Sequence, residues 1–235
     1  MDERFLRSAA LIGEDKCRAL SEARITLFGV GGVGGYVAET LARLGVGSIT
    51  VIDADTVSMS NINRQIIAMT STVSMKKAEL VANRITDINP SAESTAICDF
   101  VNENNIYPIL QNSHPDFVVD AIDTLTSKVA IIRACKKLNI PIISSMGTGN
   151  KLDPTRLKIS DISKTNTCPL ARTIRLKLRT EGISDVEVLW SDEAPRKVCA
   201  DASNGRHSPA SVAFVPSVAG ILIARRVAER IVGGF

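Results

Sequence analysis

Aromatic side chains are scarce in this chain. They make up 4% of its 235 residues, whereas hydrophobic residues as a whole make up 45%. A chain of this length and composition can bury a core of ordinary size, and that core must be packed mainly by Val, Ile, Leu and Ala. This balance favours an α/β protein.

Clustered cysteines, a long apolar run and a large net charge are also lacking. The five cysteines are scattered with no CxxC spacing, so we expect reduced thiols and no zinc. The longest apolar run, 210–224, is short for a membrane span and contains Pro216. The charged start MDERFLRSAA lacks the pattern of a signal peptide, which favours a cytoplasmic protein. The formal charge of +3 is too small to indicate nucleic-acid binding by itself.

Short β-branched runs alternate with helical patterns over the first two thirds of the chain. Near-continuous apolar strands separated by helices predict a Rossmann-like, doubly wound α/β fold with a mainly parallel sheet. Ligands of such a sheet bind at the carboxyl ends of its strands. The predicted strands are 25–30, 48–53, 94–99, 117–123 and 141–145, and the predicted helices lie near 33–44, 74–88, 103–111 and 125–138.

The pattern changes after Pro154, where we expect a C-terminal α+β extension. The polar stretch 191–209 is rich in turn-forming residues and is predicted to be a loop. The predicted elements are strands at 156–160 and 185–190, an amphipathic helix at 168–179, a strand at 210–215, and a helix from about 216 to 232.

The stretch GVGGVGGY lies between a predicted strand and a predicted helix. Gly29, Gly31 and Gly34 have the GxGxxG spacing of a nucleotide-binding turn, and Gly32 adds a further glycine. The first glycine permits the tight turn, the second lets the backbone approach phosphate, and the third lets the helix pack on the strand. Asp53 ends the next predicted strand, where its carboxylate can accept hydrogen bonds from ribose hydroxyls. This spacing predicts a bound nucleotide and leaves open whether it is NAD or ATP.

Cationic and amide side chains follow the predicted ribose-binding acid. The two phosphates of NAD are already served by the glycine turn. The additional hydrogen-bond donors of Asn61, Arg64 and Lys77 therefore favour a triphosphate. Asp123 ends a neighbouring strand and could hold Mg²⁺, whereas Asp120 is expected to be structural. Simpler roles stay open: the two cations could be solvated, Asn61 could cap a turn, and Asp123 could cap the helix after it.

Taken together, these stretches resemble the ubiquitin-activating-type (ThiF/MoeB/HesA) adenylating superfamily. The motifs are GVGGVG, ITVIDADTVSMSNINRQ, VSMKKAE and DAID, and the likeness covers about residues 4–150. The opening RFLRSAALIG matches the family's entrance segment, which implies that Arg7 reaches across a homodimer to the partner's triphosphate. Arg7, Arg64, Lys77 and Asp123 would then be catalytic. The resemblance implies that ATP and Mg²⁺ are bound by Gly29, Gly31, Gly32, Gly34, Asp53, Asn61, Arg64, Gln65, Lys77 and Asp123, the last through the metal.

The second part of the chain resembles the tRNA threonylcarbamoyladenosine dehydratase branch of that superfamily. This likeness rests on three stretches: GTGNKLDPT, SKT, and PLA before a basic helix. It implies adenylation of the threonylcarbamoyl carboxylate on a tRNA adenosine, followed by loss of AMP in a cyclising dehydration. Adenylation of the C-terminal glycine of a ubiquitin-like sulfur-carrier protein is the alternative. An NAD(P)-dependent oxidoreductase and a nucleotide-binding scaffold without activity are less favoured.

Further expectations concern partners and ions. Arg172, Arg175 and Arg179 share one face of the predicted helix, which could contact tRNA phosphates or simply be solvated. The resemblance also implies a monovalent cation, Na⁺ or K⁺, near the loop after the fifth strand, and cooperation with a cysteine desulfurase or a sulfur-carrier protein. Cys199 could have a thiol role, and an unreactive cysteine is the alternative there and at Cys168.

The expected domain organisation follows from these assignments. Residues 1–150 are predicted to form an ATP-binding adenylation domain, beginning with a helical segment at 1–22. Residues 151–235 are predicted to extend the same globule, on the substrate side and with dimer contacts.

Overall fold

A computed structural model of the chain describes residues 2–197 and 209–235. Within them it contains seven β-strands and eight α-helices. The strands are β1 Arg24–Phe28, β2 Ser48–Ile52, β3 Glu93–Ile97, β4 Phe117–Asp120, β5 Ile142–Ser145, β6 Leu157–Asp161 and β7 Glu187–Ser191. The helices are α1 Leu6–Ile12, α2 Glu14–Glu22, α3 Gly34–Arg43, α4 Lys77–Ile88, α5 Ile106–Ser113, α6 Leu125–Leu138, α7 Pro169–Thr180 and α8 Phe214–Val232.

All seven strands join one sheet in the order β3-β2-β1-β4-β5-β7-β6. The pairs from β3 through β7 are parallel, and β6 pairs with β7 in the antiparallel direction. The strands after Pro154 therefore extend the sheet that the first two thirds of the chain begin. The predicted α/β fold with a mainly parallel sheet is confirmed.

Helices cover both faces of the sheet because strand side chains alternate between the faces. Ile25 and Leu27 of β1 belong to a core layer that includes buried residues of α3, α4 and α8. Phe28 belongs to the opposite layer, which includes buried residues of α5, α6 and α7. Among the helices of the described residues, none is long and apolar enough to cross a membrane.

The predicted bounds of the first five strands and the four helices between them agree with the structure within three residues. The strand predicted at 210–215 is wrong, because α8 already begins at Phe214. A short apolar run cannot by itself distinguish a buried strand from the start of a buried helix. Gly220 lets α8 pack tightly across the start of α3, since a Cβ on it would lie 2.4 Å from the carbonyl oxygen of Val33.

The carboxyl ends of the parallel strands meet at one edge of the sheet, and this edge positions the site. The loops after β1, β2, β4 and β5 lie there side by side. The helices that follow these strands begin at the same edge, so their N-terminal backbone N–H groups favour negative charge there.

Candidate active site

A cleft of about 680 Å³ opens at this edge of the sheet. Its lining includes the N-cap residues of α3, α6 and α7 and the first residue of α4. Four helix N-termini therefore contribute positive potential to a single cleft. Nine of the predicted site residues line it: Gly29, Gly31, Gly32, Asp53, Asn61, Arg64, Gln65, Lys77 and Asp123.

The glycines of the turn after β1 serve different needs. Gly29 has φ +82°, and a Cβ on it would lie 2.9 Å from the backbone of Ala121. A Cβ on Gly34 would lie 1.8 Å from the carbonyl oxygen of Gly29, so this glycine lets α3 pack on β1 and does not line the cleft. A Cβ on Gly31 would meet only the side-chain amide of Gln65, at 3.6 Å or more. Packing therefore requires glycine at 29 and 34, whereas at 31 glycine keeps space in the cleft open.

The carboxylate of Asp53 ties the glycine turn to the end of β2. It accepts hydrogen bonds from the backbone N–H groups of Val30 (2.8 Å) and Asp55 (2.9 Å). Burial raises the pKa of Asp53, and these two hydrogen bonds oppose that rise in part. Each carboxylate oxygen keeps a lone pair for a further donor. The side chain therefore shapes the turn and remains able to accept from a ribose hydroxyl.

Two cations lie beside the glycine turn. Lys77 is the first residue of α4 and only 5% exposed, and its Nζ lies 2.8 Å from a carboxylate oxygen of Asp55. The stem of Arg64 packs beside Gly32, whose Cβ position is 3.4 Å from Cγ of the arginine. The guanidinium donates to the carbonyl oxygen of Ser60 at 3.0 Å. Lys77 is therefore no solvated surface lysine, and Arg64 lies across the turn within the cleft wall.

The structure also bears on the alternative roles of Asn61 and Asp123. Asn61 is buried and does cap a turn, since its Oδ1 accepts from the backbone N–H of Ser58 at 3.1 Å. Its amide nitrogen remains as a donor for a ligand. Asp123 is exposed in the cleft, and it does not cap α6, whose N-cap residue is Thr124 without a side-chain cap bond.

A fully buried ion pair supports the loop that carries Asp123. The Nζ of Lys128 lies 2.9 Å from the carboxylate of Asp120 and donates to the carbonyl oxygen of Ile122 at 2.8 Å. The hydroxyl of Ser144 donates to the same carboxylate at 2.5 Å. Because each buried charge has several partners, the loop after β4 is held in place. The structural role expected for Asp120 agrees with this arrangement, whereas Lys128 was missed.

The predicted basic face of α7 is only partly free. Arg172 and Arg179 are exposed. Arg175 is half-buried and donates to the carbonyl oxygen of Thr165 at 2.6 Å, so its guanidinium is committed to the preceding loop. Two of the three arginines therefore remain available to a polyanion.

Two further predicted residues lie apart from the cleft or outside the structure. Arg7 is exposed on α1 and does not line the cleft of its own chain. Cys199 lies outside the described residues. Cys168 is buried at the N-cap of α7 and lines the cleft.

Residues 5–233 match the ThiF family. The chain belongs to this family. It is similar to the tRNA threonylcarbamoyladenosine dehydratase of Bacillus subtilis (strain 168). The two are 43% identical over an alignment of 239 positions, which covers 97% of this chain and 94% of that protein. The Escherichia coli (strain K12) dehydratase is 40% identical over 200 residues, which cover 82% of this chain and 74% of that protein. The crystal structure of the E. coli dehydratase TcdA in complex with ATP has a TM-score of 0.89 at 33% identity, covering 98% of this chain and 94% of that one.

Membership of the ThiF family confirms the superfamily predicted from the motifs, and this ThiF-family cleft contains residues that sequence reasoning missed. The loop after β5 contributes Thr148, Asn150 and Lys151. Asn150 has φ +59°, and its Oδ1 accepts from the backbone N–H of Ala210 at 2.8 Å. The stretch GTGNKLDPT, which carries the family likeness, contains all three of these side chains.

Proposed function

We propose that this protein uses ATP to adenylate the carboxylate of a threonylcarbamoyl group on a tRNA adenosine, and then releases AMP as that group cyclises. The net change in the nucleoside is the loss of one water. The likeness to the Bacillus subtilis tRNA threonylcarbamoyladenosine dehydratase over 97% of the chain is the observation that carries this proposal. The cations and the open glycine turn of the cleft support it.

Adenylation requires positive charge and positioning more than a proton acceptor, since a carboxylate is already ionised at neutral pH. One carboxylate oxygen attacks the α-phosphorus, the bond from that phosphorus to the bridging oxygen breaks, and pyrophosphate leaves. In this proposal Arg64 and Lys77, which line the cleft, stabilise the charge that accumulates on the departing phosphates. A nucleophilic atom of the same threonylcarbamoyl group then attacks the activated carbonyl. The ring closes with loss of a proton, and AMP leaves with one of the original carboxylate oxygens.

The cleft fits a nucleotide in three respects. The space beside Gly31 lets phosphate approach the backbone. The carboxylate of Asp53 can accept from ribose. Gln65 is buried, and its Oε1 has no hydrogen-bond partner among the described residues. Because a buried polar atom is costly without a partner, a ligand donor in the cleft would satisfy it.

The cleft also fits Mg²⁺. The carboxylate of Asp123 is exposed in the cleft and forms no salt bridge within the described part of the chain. Nucleotide sites hold Mg²⁺ through one or two carboxylates together with phosphate oxygens. Asp123 would hold the ion, which when bound would neutralise phosphate charge. A Na⁺ or K⁺ near the loop after β5 stays a prediction, as does cooperation with a cysteine desulfurase or a sulfur-carrier protein.

Exposed arginines on α7 support tRNA as the carrier of the acceptor group. Arg172 and Arg179 follow the N-terminus of α7, which lies at the cleft. Contacts to phosphates would release counterions, so binding of tRNA should weaken as salt rises.

Mass spectrometry of tRNA nucleosides tests the proposed function directly. After incubation with ATP, Mg²⁺ and tRNA that carries threonylcarbamoyladenosine, we expect that nucleoside to lose the mass of one water. AMP and pyrophosphate should form in equal amounts. The Lys137→Gln variant, which changes an exposed lysine near the end of α6, should behave as the wild type.

Parallel reactions separate the alternatives. Labelled pyrophosphate should be exchanged into ATP only when an acceptor is present. Exchange that depends on a sulfur-carrier protein, and not on modified tRNA, would favour activation of a C-terminal glycine. Binding of NAD in preference to ATP would favour an oxidoreductase. If threonylcarbamoyladenosine keeps its mass after incubation of the tRNA with ATP and Mg²⁺, the dehydratase function is rejected.

We also propose that the active unit is a homodimer in which Arg7 serves the partner's cleft. Arg7 lies beside exposed apolar side chains on α1, where Leu6 is 50% and Leu11 is 85% exposed. Exposed apolar side chains next to one another favour an interface.

Mixing two inactive variants tests this shared geometry. Arg7→Ala and Arg64→Ala should each be weakly active alone. In exchanged mixed dimers one of the two clefts regains both arginines, so an equal mixture should recover about a quarter of wild-type activity. Mixed dimers that form but stay inactive would reject the placement of Arg7 in the partner's cleft.

A further inference from the structure

Lys151 is a buried cation in the wall of the cleft. It is 3% exposed, and its Nζ donates to the carbonyl oxygen of Gly147 at 2.8 Å. An ammonium group has three donors, so this single bond leaves two of them available. Lys151 lines the same cleft as the glycine turn.

The described residues give Lys151 no carboxylate partner within 4 Å, in contrast to the other two buried lysines. Lys77 pairs with Asp55 at 2.8 Å, and Lys128 pairs with Asp120 at 2.9 Å. A buried ammonium without a paired anion is costly, and a buried charge of this kind is normally neutralised by a partner. The unpaired charge of Lys151 is therefore explained if a ligand supplies the anion.

Glu193, one of the acidic residues that interact with Lys151, is already committed elsewhere. The carboxylate of Glu193 accepts hydrogen bonds from the backbone N–H groups of Leu152 (3.0 and 3.1 Å) and Asp153 (2.9 Å). These bonds fix the chain just after Lys151. Burial lowers the pKa of Lys151, and interactions with Cys168, Glu193 and Asp192 oppose this only in part. The backbone beside Lys151 is thus held in place, and within the described residues no carboxylate pairs with its amino group.

The order of the sheet places Lys151 on the far side of the glycine turn from Lys77. Lys77 pairs with Asp55 just after β2, the glycine turn follows β1, and Lys151 donates to Gly147 just after β5, two strands beyond the turn. With strands about 4.8 Å apart, this separation from the turn is about 10 Å. Attack at phosphorus requires the entering and leaving oxygens to lie roughly in line. If pyrophosphate leaves toward Lys77, the attacking carboxylate arrives from the side of Lys151.

We propose that Lys151 binds the carboxylate of the acceptor and aligns it with the α-phosphorus. This assignment rests on the proposed adenylation of a carboxylate. An anion that approaches a polyphosphate is repelled, and a fixed cation beside it offsets that repulsion. One carboxylate oxygen forms the bond to phosphorus while the other stays on the ammonium group. In the acyl-adenylate that second oxygen is the carbonyl oxygen, which Lys151 continues to polarise until the ring closes.

Lys151→Met and Lys151→Gln test this role, with Lys137→Gln as the control for the loss of one positive charge. The affinity for ATP should stay within about twofold of the wild type, because Lys151 lies on the other side of the glycine turn from Lys77. The KM for modified tRNA should rise, and kcat/KM should fall by roughly 10- to 100-fold, as expected when a hydrogen bond to a charged group is lost. The preference for modified over unmodified tRNA in binding should disappear.

Thermal unfolding separates a ligand-binding lysine from a structural one. Lys151→Met removes a buried, unpaired charge, so its Tm should be unchanged or higher than that of the wild type. Lys151→Arg keeps a positive charge and should retain more of the preference for modified tRNA than Lys151→Gln.

Two results would overturn this assignment while leaving the proposed function intact. One is wild-type KM and full preference for modified tRNA in the Lys151→Gln variant. The other is a lowered Tm together with equal losses of ATP and tRNA binding, which a structural lysine would produce. Absence of nucleoside dehydration by the wild type would instead reject the proposed function, and with it the assignment of Lys151 to that acceptor.

Discussion

Lys77→Gln is expected to slow formation of the acyl-adenylate by roughly 10²- to 10³-fold, the range seen when a preorganised electrostatic contact is removed. The physical reason is that Lys77 is buried in the cleft wall at the N-terminus of α4, where its charge is poorly screened by water. Acceptor-dependent exchange of labelled pyrophosphate into ATP measures the effect.

Lys76→Gln is the matched control, because Lys76 is the adjacent residue and is exposed. Its exchange rate should stay close to that of the wild type. The carboxylate of Asp55 that pairs with Lys77 is 71% exposed, so this ion pair should add less than about 1 kcal/mol to stability. Lys77→Gln should therefore remain folded. If a folded Lys77→Gln protein exchanges pyrophosphate into ATP at the wild-type rate, Lys77 does not stabilise the transition state and only pairs with Asp55.

Two alanine substitutions in the same glycine turn should have opposite consequences. Gly34→Ala should be destabilised by more than about 3 kcal/mol, because its Cβ would lie 1.8 Å from the carbonyl oxygen of Gly29 and backbone cannot yield as a side chain can. Gly31→Ala should keep its stability within about 1 kcal/mol, since its Cβ meets only the side chain of Gln65 at 3.6 Å or more. Thermal unfolding of both variants measures this difference.

Gly31→Ala should stay folded but should bind ATP much more weakly than the wild type. Gly31→Ala places a methyl group where the backbone approaches phosphate, so we expect its affinity for ATP to fall by at least about 100-fold, or roughly 3 kcal/mol. Titration of the folded variant with a fluorescent ATP analogue measures it. If Gly31→Ala binds ATP as the wild type does, the phosphates do not lie at this turn.

Features that depend on neighbours along the chain were predictable from the sequence alone. The alternation of apolar strands with amphipathic helices determined the α/β class, and GVGGVGGY between β1 and α3 indicated a nucleotide. The residues after β2 were also predictable as a group, because a strand end and its loop are contiguous. The 210–215 run was ambiguous since both a strand and a buried helix start can be apolar, and in the structure α8 begins within it, at Phe214.

Features that depend on which loops meet were decided only by the tertiary structure. No local pattern indicated that Asp53 would bind the backbone of Val30, or that Lys128 would be buried against Asp120. Lys151 reaches the cleft because β5 lies beside β4, and its charge is unpaired because Glu193 binds the backbone next to it. Periodicity and turn residues report local backbone preference, whereas burial and charge pairing depend on contacts between segments far apart in the chain.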